Sequence, residues 1–482
     1  MVDFFQSAGS GFRKAFYAVF NVLWGDFITI PLPGGGQLGI SLLVMILIPS
    51  GIYFTIRSRF MPFRLFPEMI RAVTEKKTSG KYGTISGVQA LIVSTATRVG
   101  MGNLVGVVAA ISAGGAGAVF WMWLIALLGS STAFVEATLA QLYKEKDPLY
   151  GGYRGGPAYY IHCLFKKKRG GKKSILACLF AVSGLVCWCG ISQVIGNSVS
   201  SAFENAFQIP PLVTTVLLVA LAAVIVLRKN ATVRVLDIMV PVMAVFYLLI
   251  TFYIILTNIT TLPGVFQRIF EEAFGIRQVV SGGLGAVIMN GAKRGLFSNE
   301  AGSGSAPCAA AAADSSHPAK VGLLQALGVF IDTLVICSCT AMIMLLTPET
   351  MTSGLEGMAL LQTAMQYHMG SAGGIFIALI IWLFSFSTFI GILFYARSNI
   401  AYLFGDNWIS QTLYKILALI MLFIGGLAAY SFVWDLGDFG VGLMTIFNMI
   451  ALFPLAPQAM KALRDYEQQR ALEKVKRKGV EN

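Results

Sequence analysis

Long apolar stretches recur along almost the whole chain, and short polar connections separate them. A helix that crosses the hydrocarbon core of a bilayer needs about 20 mostly apolar residues. The pattern therefore predicts an all-α integral membrane protein with eleven transmembrane helices. The stretches fall at 39–56, 87–111, 118–142, 175–196, 211–228, 235–257, 278–292, 321–346, 372–396, 414–431 and 437–459.

A further segment, 12–30, is aromatic-rich but contains Arg13, Lys14, Asn21 and Asp26. Because it mixes charge with apolar bulk, we expect an interfacial helix, and a twelfth span is the alternative.

The composition supports a membrane protein. Hydrophobic residues make up 56% of the chain and charged residues 12%, against about 25% charged in soluble domains. The net charge of +13 does not indicate nucleic-acid binding, because the cations lie in the connections between apolar stretches. The Gly302-Ser303-Gly304-Ser305 run lacks the lysine of a phosphate-binding loop. We therefore expect neither a nucleic-acid nor a nucleotide partner.

The distribution of Lys and Arg predicts the orientation, since cytoplasmic connections are enriched in cations. One side collects 31 of them and the other only four. The C-terminus is therefore expected in the cytoplasm and the N-terminus outside. The 31 lie in 57–81, in 144–173, in 228–234, in the tail after Pro457, and at Lys293, Arg294, Lys320, Arg397 and Lys415.

Behind the first stretch, the other ten divide into two groups of five, and the first member of each group contains a glycine cluster. The clusters lie at 99–103 and 281–285. Paired, glycine-interrupted segments in two halves are typical of secondary transporters built from inverted repeats, although glycines also allow close helix packing. The predicted units are an outer N-terminus with the interfacial helix (1–38), an extra helix (39–56), two five-helix repeats (87–257 and 278–459) and a basic cytoplasmic tail (460–482).

Several runs resemble the sodium:alanine (or glycine) symporter family. They are GGAGAVFWMW at 114–123, QAL at 89–91, GGPAYYI at 155–161, RGLFSNEAG at 294–302 and FST at 386–388. The resemblance implies a LeuT-type core of ten helices as a 5+5 inverted repeat, preceded by one extra helix. It also implies sodium-coupled uptake of a small neutral amino acid such as alanine or glycine. The implied setting is the bacterial cytoplasmic (inner) membrane, and the implied oligomeric state is a monomer or weak oligomer. A transporter of this kind is not expected to be an enzyme.

The resemblance also implies the site residues. The substrate is expected at the first break, at Thr97, Gly100, Met101, Gly102 and Asn103, and at the second break, at Ser281, Gly282, Gly283 and Leu284. The coupling Na⁺ is expected to bind the carbonyls of Ala96 and Val99 and the hydroxyls of Ser387 and Thr388, and Thr388 and Ile392 line the substrate pocket. Alanine-transporting members carry a tryptophan where this chain has Ile392, so the size of the preferred amino acid stays open.

Charged residues inside apolar stretches are candidates for function. Arg98 precedes the first break and is expected to act on substrate or gating, or else to pair with a structural partner such as Glu136. Arg294 and Glu300 are expected to form a cytoplasmic gate, and a solvated turn is the alternative. A channel would need a ring of filter residues and a membrane enzyme a catalytic pair, neither of which the sequence indicates.

Overall fold

The computed structural model describes residues 2–31, 37–73, 85–165, 173–228, 232–276, 283–352, 354–428 and 430–480, and most of them are helical. The helices are α1 Val2–Trp24, α2 Leu42–Arg57, α3 Met61–Arg64, α4 Phe66–Val73, α5 Gly87–Thr97, α6 Val107–Gly114, α7 Gly117–Leu142, α8 Pro157–Phe165, α9 Ile175–Phe207, α10 Pro211–Val226, α11 Thr232–Thr257, α12 Leu262–Ala273, α13 Gly283–Asn299, α14 Pro307–Ala312, α15 Pro318–Val329, α16 Ser338–Leu345, α17 Glu349–Thr352, α18 Gly357–Met369, α19 Ser371–Phe404, α20 Trp408–Leu427 and α21 Tyr430–Val480. Wider, π-helical turns join α5 to α6 over Arg98–Gly106 and α15 to α16 over Phe330–Cys337.

Within the described ranges, eight helices are long and apolar enough to cross a membrane. They are Gly87–Gly114, Gly117–Leu142, Ile175–Phe207, Ile238–Thr257, Pro318–Leu345, Ser371–Phe404, Trp408–Leu427 and Val433–Glu473. Two shorter apolar helices, Leu42–Arg57 and Pro211–Val226, accompany them. The prediction of a helical, multi-pass membrane protein is thereby confirmed.

Three two-stranded pairs add to the helices that the sequence predicted. They are β1 Ile28–Pro31 with β2 Gln37–Ile40, β3 Ile85–Ser86 with β6 Ala313–Asp314, and β4 Glu145–Lys146 with β5 Tyr153–Arg154. Only β3 and β6 run parallel, with Ile85 opposite Ala313 and Ser86 opposite Asp314. This short bridge joins the start of α5 to the chain that follows α14.

Local sequence explains where several helices begin. Ser86 caps α5 by accepting a hydrogen bond from the Gln89 amide, and the Gln89 side chain accepts one from the Ser86 amide in return. Asn407 caps α20 through the amides of Ile409 and Ser410. These side chains satisfy amides that the first helical turn leaves without partners.

The N-terminal helix α1 lies against the beginning of α21. Tyr17 donates a hydrogen bond to Asp435 at 2.7 Å, and the Trp24 indole donates to the Asp438 carbonyl at 2.9 Å. At the other end of the protein, α21 continues as one helix to Val480. The residues predicted as a separate tail from 460 thus extend the last helix without a break.

Glycines let α9 approach its neighbours closely, as small residues do in membrane proteins. A Cβ on Gly190 would lie 2.2 Å from the Gly437 amide nitrogen of α21. A Cβ on Gly425 of α20 would lie 2.1 Å from the Gln193 carbonyl of α9. These contacts are with backbone, so no side-chain rotation can relieve an added group.

We expect Gly190→Val to destabilise the protein by about 1–3 kcal/mol or more, since overpacking here must move two helices. Thermal unfolding in detergent measures the effect. Gly264→Val is the matched control, because a Cβ at that position meets nothing within 4 Å. Equal melting temperatures for the two variants would contradict the close crossing of α9 and α21.

Candidate functional site

The first glycine cluster interrupts a membrane helix, as predicted. Between α5 and α6 the helical geometry is lost at Val99 (φ −74°, ψ 68°) and Gly100 (φ −146°, ψ −143°). All the residues from Arg98 to Gly106 are buried. Such a break frees backbone groups that need partners within the protein.

Asn103 and Asp332 supply part of this partnership. The side-chain oxygen of Asn103 accepts a hydrogen bond from the Gly100 amide at 3.0 Å, and the side-chain NH₂ group of Asn103 donates to the Asp332 carboxylate at 2.8 Å. The other Asp332 oxygen accepts from the hydroxyls of Ser298 and Thr333, each at 2.8 Å. Asp332 is fully buried, in a π-helical segment of the kind often found at functional sites.

The sequence analysis did not name Asp332, and the structure places it beside the first break, so it is a site residue that the sequence analysis missed. An acidic residue in the middle of the apolar stretch 321–346 was the available signal.

The predicted hydroxyl pair lies against the first break. Ser387 and Thr388 of α19 place their side-chain oxygens 3.3 and 3.4 Å from the Ala96 carbonyl oxygen. Thr388 also accepts a hydrogen bond from the Met101 amide at 3.2 Å. Two hydroxyls and a carbonyl thus converge where α5 ends, all of them buried. Neutral oxygens grouped in this way suit a small cation. The Val99 carbonyl as a fourth ligand stays a prediction.

Gly100 makes the closest approach to this group. A Cβ on Gly100 would lie 1.9 Å from the Thr388 hydroxyl oxygen, whereas a Cβ on Gly106 would meet nothing within 4 Å. The absence of a side chain at Gly100 is therefore what allows α19 to contact the break.

The second break does not lie where the sequence predicted it. Helix α13 begins at Gly283 and runs unbroken to Asn299, and the chain becomes irregular only from Glu300 to Ala306. In that stretch Glu300, Gly302 and Gly304 have positive φ angles of 57°, 97° and 83°. The interruption thus lies in the run that the sequence analysis discarded as a false phosphate loop.

The prediction for Gly283 and Leu284 is accordingly wrong in position. Leu284 lies near Gly275, and the neighbouring Gly285 approaches the Gly39 backbone of β2, at the start of α13 rather than at the first break. Ser281 and Gly282 lie outside the described residues. The residues of α13 that do reach the first break are Phe297 and Ser298, which a Cβ on Gly102 would meet at 3.3–3.8 Å.

Buried side chains hold the second break in place. Glu136 of α7 accepts a hydrogen bond from the Gly302 amide at 3.1 Å and another from the Asn448 side chain at 2.5 Å. Asn448 of α21 also donates to the Gly302 carbonyl at 3.0 Å. Asn299 accepts from the Ala301 amide at 3.0 Å.

Arg98 is almost fully buried, but it does not pair with Glu136. Its Nη1 donates to the Gln325 carbonyl of α15 at 3.2 Å, while Nε and Nη2 have no hydrogen-bond partner. The Gln325 side-chain amide, also fully buried, has no partner either. The predicted Arg98–Glu136 pair is thus not formed, and both the Arg98 guanidinium and the Gln325 side-chain amide keep buried polar atoms without a hydrogen bond.

Thr97 and Glu300 are linked through Tyr395 of α19. The hydroxyls of Thr97 and Tyr395 lie 2.5 Å apart, and Tyr395 donates to the Glu300 carboxylate at 3.1 Å. This chain connects the end of α5 with the second break. Ile392, one turn before Tyr395 on the same helix, is buried.

Arg294 and Glu300 do not form one gate. Arg294 lies within α13, about 9 Å of helix before the second break, and makes a two-pronged ion pair with Asp438 of α21 at 2.9 and 3.2 Å. Lys293 also contacts Asp438, at 2.7 Å. The Arg294 guanidinium stacks on Trp434, whose ring packs on Phe297. Lys293 also lies over the Phe20 and Trp24 rings of α1. These two cations therefore lie beside α1, away from the second break that follows Asn299.

Comparisons with known proteins agree with this geometry. The profile of the sodium:alanine symporter family matches residues 35–480. The probable sodium/glutamine symporter GlnT of Bacillus subtilis is 44% identical, over 89% of this chain and 88% of the relative. The amino-acid carrier protein AlsT of the same organism is 43% identical, over 89% and 90%. The sodium/alanine symporter AgcS of Methanococcus maripaludis is 35% identical, over 86% and 91%.

A solved structure of the Eremococcus coleocola manganese transporter, in complex with an aromatic bis-isothiourea compound, shares the fold. Its TM-score is 0.50 at 12% identity, over 81% of this chain and 83% of the other. Two broken helices facing each other, a hydroxyl pair at the first break and a match along nearly the whole sequence lead to one assignment. The chain belongs to the sodium:alanine symporter family.

Proposed function

We propose that the protein is a secondary active transporter that takes up a small neutral amino acid together with Na⁺ by alternating access. The observation that carries this proposal is the contact between the hydroxyl pair of α19 and the unwound end of α5. Membership of the family supports sodium as the coupling ion.

The Na⁺ site consists of the carbonyls of Ala96 and Val99 and the hydroxyls of Ser387 and Thr388. All four ligands are neutral, so they do not compensate the charge of a bound Na⁺. Because an uncompensated charge inside a membrane is costly in free energy, Na⁺ is released readily once a path to water opens.

The substrate lies at the first break, between the backbone of Gly100–Asn103 and the residues of α13 that face it. Phe297 and Ser298 take the role that the sequence analysis gave to 281–284. The positive end of a half-helix suits the carboxylate of an amino acid. Ile392, with its moderate volume, admits alanine or glycine and leaves room for a larger neutral side chain. The name of the relative GlnT includes glutamine, so glutamine belongs among the substrates tested.

The topology is the LeuT-type 5+5 inverted repeat behind an extra helix α2, with eleven spans. Each predicted apolar stretch overlaps at least one helix, which supports this count. Within the predicted units 87–257 and 278–459, the first spans are the two interrupted by breaks. The N-terminus lies outside and the C-terminus in the cytoplasm of a bacterial inner membrane. If Lys293 and Arg294 are counted on the outer side, the cytoplasmic side still has many more Lys and Arg residues than the outer side.

Closure on the two sides uses different contacts. The outer gate is the ion pair of Arg294 with Asp438, next to the edge-to-face rings of Phe297 and Trp434. The inner gate comprises Arg98 and the Thr97–Tyr395–Glu300 chain. Because both sets are formed in this structure, it corresponds to a closed state of the cycle.

Uptake into proteoliposomes tests the function directly. We expect labelled alanine, glycine or glutamine to accumulate when a Na⁺ gradient is imposed, and accumulation to stop when the gradient is dissipated. Empty liposomes are the control. Equal uptake with and without the Na⁺ gradient would contradict sodium coupling.

Gly100→Ala should abolish most of this uptake, because the added methyl group overlaps the Thr388 hydroxyl and forces it away from the break. We expect a cost of about 1–3 kcal/mol to the arrangement of the site. Gly106→Ala adds the same group two turns later, in open space, and should retain uptake. Both proteins are checked by thermal unfolding in detergent. If Gly100→Ala transported like Gly106→Ala, the close contact between α19 and the break would not matter for transport.

The double substitution of Ser387→Ala with Thr388→Ala should raise the Na⁺ concentration needed for half-maximal uptake, since two of the four proposed ligands are lost. Ser385→Ala is the matched control: it lies on the same helix, is equally buried, and its hydroxyl has no hydrogen-bond partner. The sodium dependence of Ser385→Ala should equal that of the unmodified protein. An unchanged sodium dependence in the double variant would rule out the assigned ligands.

A further inference from the structure

An apolar groove lies on the outer surface of the helix bundle, between α9 and α20. Its volume is about 540 Å³, within the range of about 300–1,000 Å³ typical of ligand sites. The walls are almost entirely hydrocarbon, and include Val182 and Leu185 of α9, Phe404 of α19, and Leu413, Leu417 and Met421 of α20. Phe404 and Leu413 are 62% and 60% exposed, so the groove opens outwards from two candidate membrane helices.

The polar groups near the groove are satisfied within the protein. Tyr414, which also lines the groove, donates its hydroxyl hydrogen to the Leu185 carbonyl at 2.8 Å. Lys415, the next residue on α20, turns to the Val226 carbonyl at the end of α10. The groove therefore offers an occupant apolar contact along its length rather than hydrogen bonds.

The length of the groove matches one leaflet of a bilayer. On α20 it extends from Ser410, in the first helical turn, to Met421. Eleven residues of helix rise about 16 Å, which is about half of the ~30 Å hydrocarbon core. An acyl chain that enters from the cytoplasmic surface would thus fill the groove and end near the middle of the membrane.

A positive charge marks the entrance. Lys173, just before α9, places its ammonium group 3.0 Å from the Leu403 carbonyl, next to Phe404 at the rim of the groove. Asp406, the nearby acidic residue of the α19–α20 connection, is already paired with Arg154. Cations at a membrane surface attract anionic lipids.

We propose that this groove binds an anionic phospholipid of the cytoplasmic leaflet, with one acyl chain along α9 and α20 and the phosphate on Lys173. The proposal rests on the orientation given under the proposed function, in which the start of α9 and the end of α19 face the cytoplasm. Since α9 also crosses α20 and α21 at glycines, the bound lipid would contact and stabilise the lipid-facing side of that crossing.

Native mass spectrometry of the full chain in detergent tests the proposal without Na⁺ or amino acid, so its outcome does not depend on transport. Phosphatidylglycerol and phosphatidylcholine with identical acyl chains are added separately. We expect several-fold greater retention of phosphatidylglycerol. Equal retention of both lipids would overturn the proposal. A mass of two chains without lipid would overturn it as well, and would make the groove an interface between copies.

Two variants and one control variant locate the site. Leu417→Trp fills the groove and should reduce phosphatidylglycerol retention several-fold, whereas Leu249→Trp on α11, 61% exposed and outside the groove, should leave it unchanged. Lys173 is exposed, so Lys173→Gln should leave the fold intact. It should lower the preference for phosphatidylglycerol over phosphatidylcholine at least twofold. If Leu417→Trp retained phosphatidylglycerol fully, or Lys173→Gln kept the full preference, the groove or the headgroup assignment respectively would be wrong.

Discussion

Backbone groups that leave a helix in the middle of a membrane must find partners inside the protein, because the lipid around them offers none. In this chain two helices are interrupted in this way, and the partners come from helices far away in the sequence. Thr388 of α19 accepts a hydrogen bond from the Met101 amide at the first break, and Glu136 and Asn448 bond the Gly302 backbone at the second. Much of the buried polar chemistry described above exists to meet this requirement.

The same requirement explains which part of the site the sequence could predict. Gly100 and Asn103 lie together in one stretch, and the break they predict is present. The hydroxyl pair of Ser387 and Thr388 was found from a resemblance, and in the structure it reaches the Ala96 carbonyl. A pair of hydroxyls inside a helix has no distinctive pattern of its own, since such groups usually bond back to the preceding turn. These two also do so, to the Phe384 carbonyl.

The second break shows where local pattern fails. The cluster at 281–285 is rich in glycine and matches the position of the first break, yet from Gly283 onward it simply begins α13. The actual interruption contains Glu300 in a left-handed conformation, and Glu136 and Asn448 bond the backbone of Gly302 just after it. Those contacts join residues more than 140 positions apart, so no local signal records them. The pairing of Arg294 with Asp438 escaped prediction for the same reason.

The short parallel bridge of β3 and β6 restricts how the interior of the protein can move. It ties the first residues of α5 to the residues that follow α14, and the Gln141 and Lys144 side chains at the end of α7 donate to the Ala313 carbonyl of the same bridge. The ends of α5 and α14 that lie away from the two breaks are thus joined by one connection. The helices α5 and α14, which the breaks would otherwise allow to tilt separately, are therefore coupled to each other. In the alternating-access cycle proposed above, this coupling makes α5 and α14 tilt together.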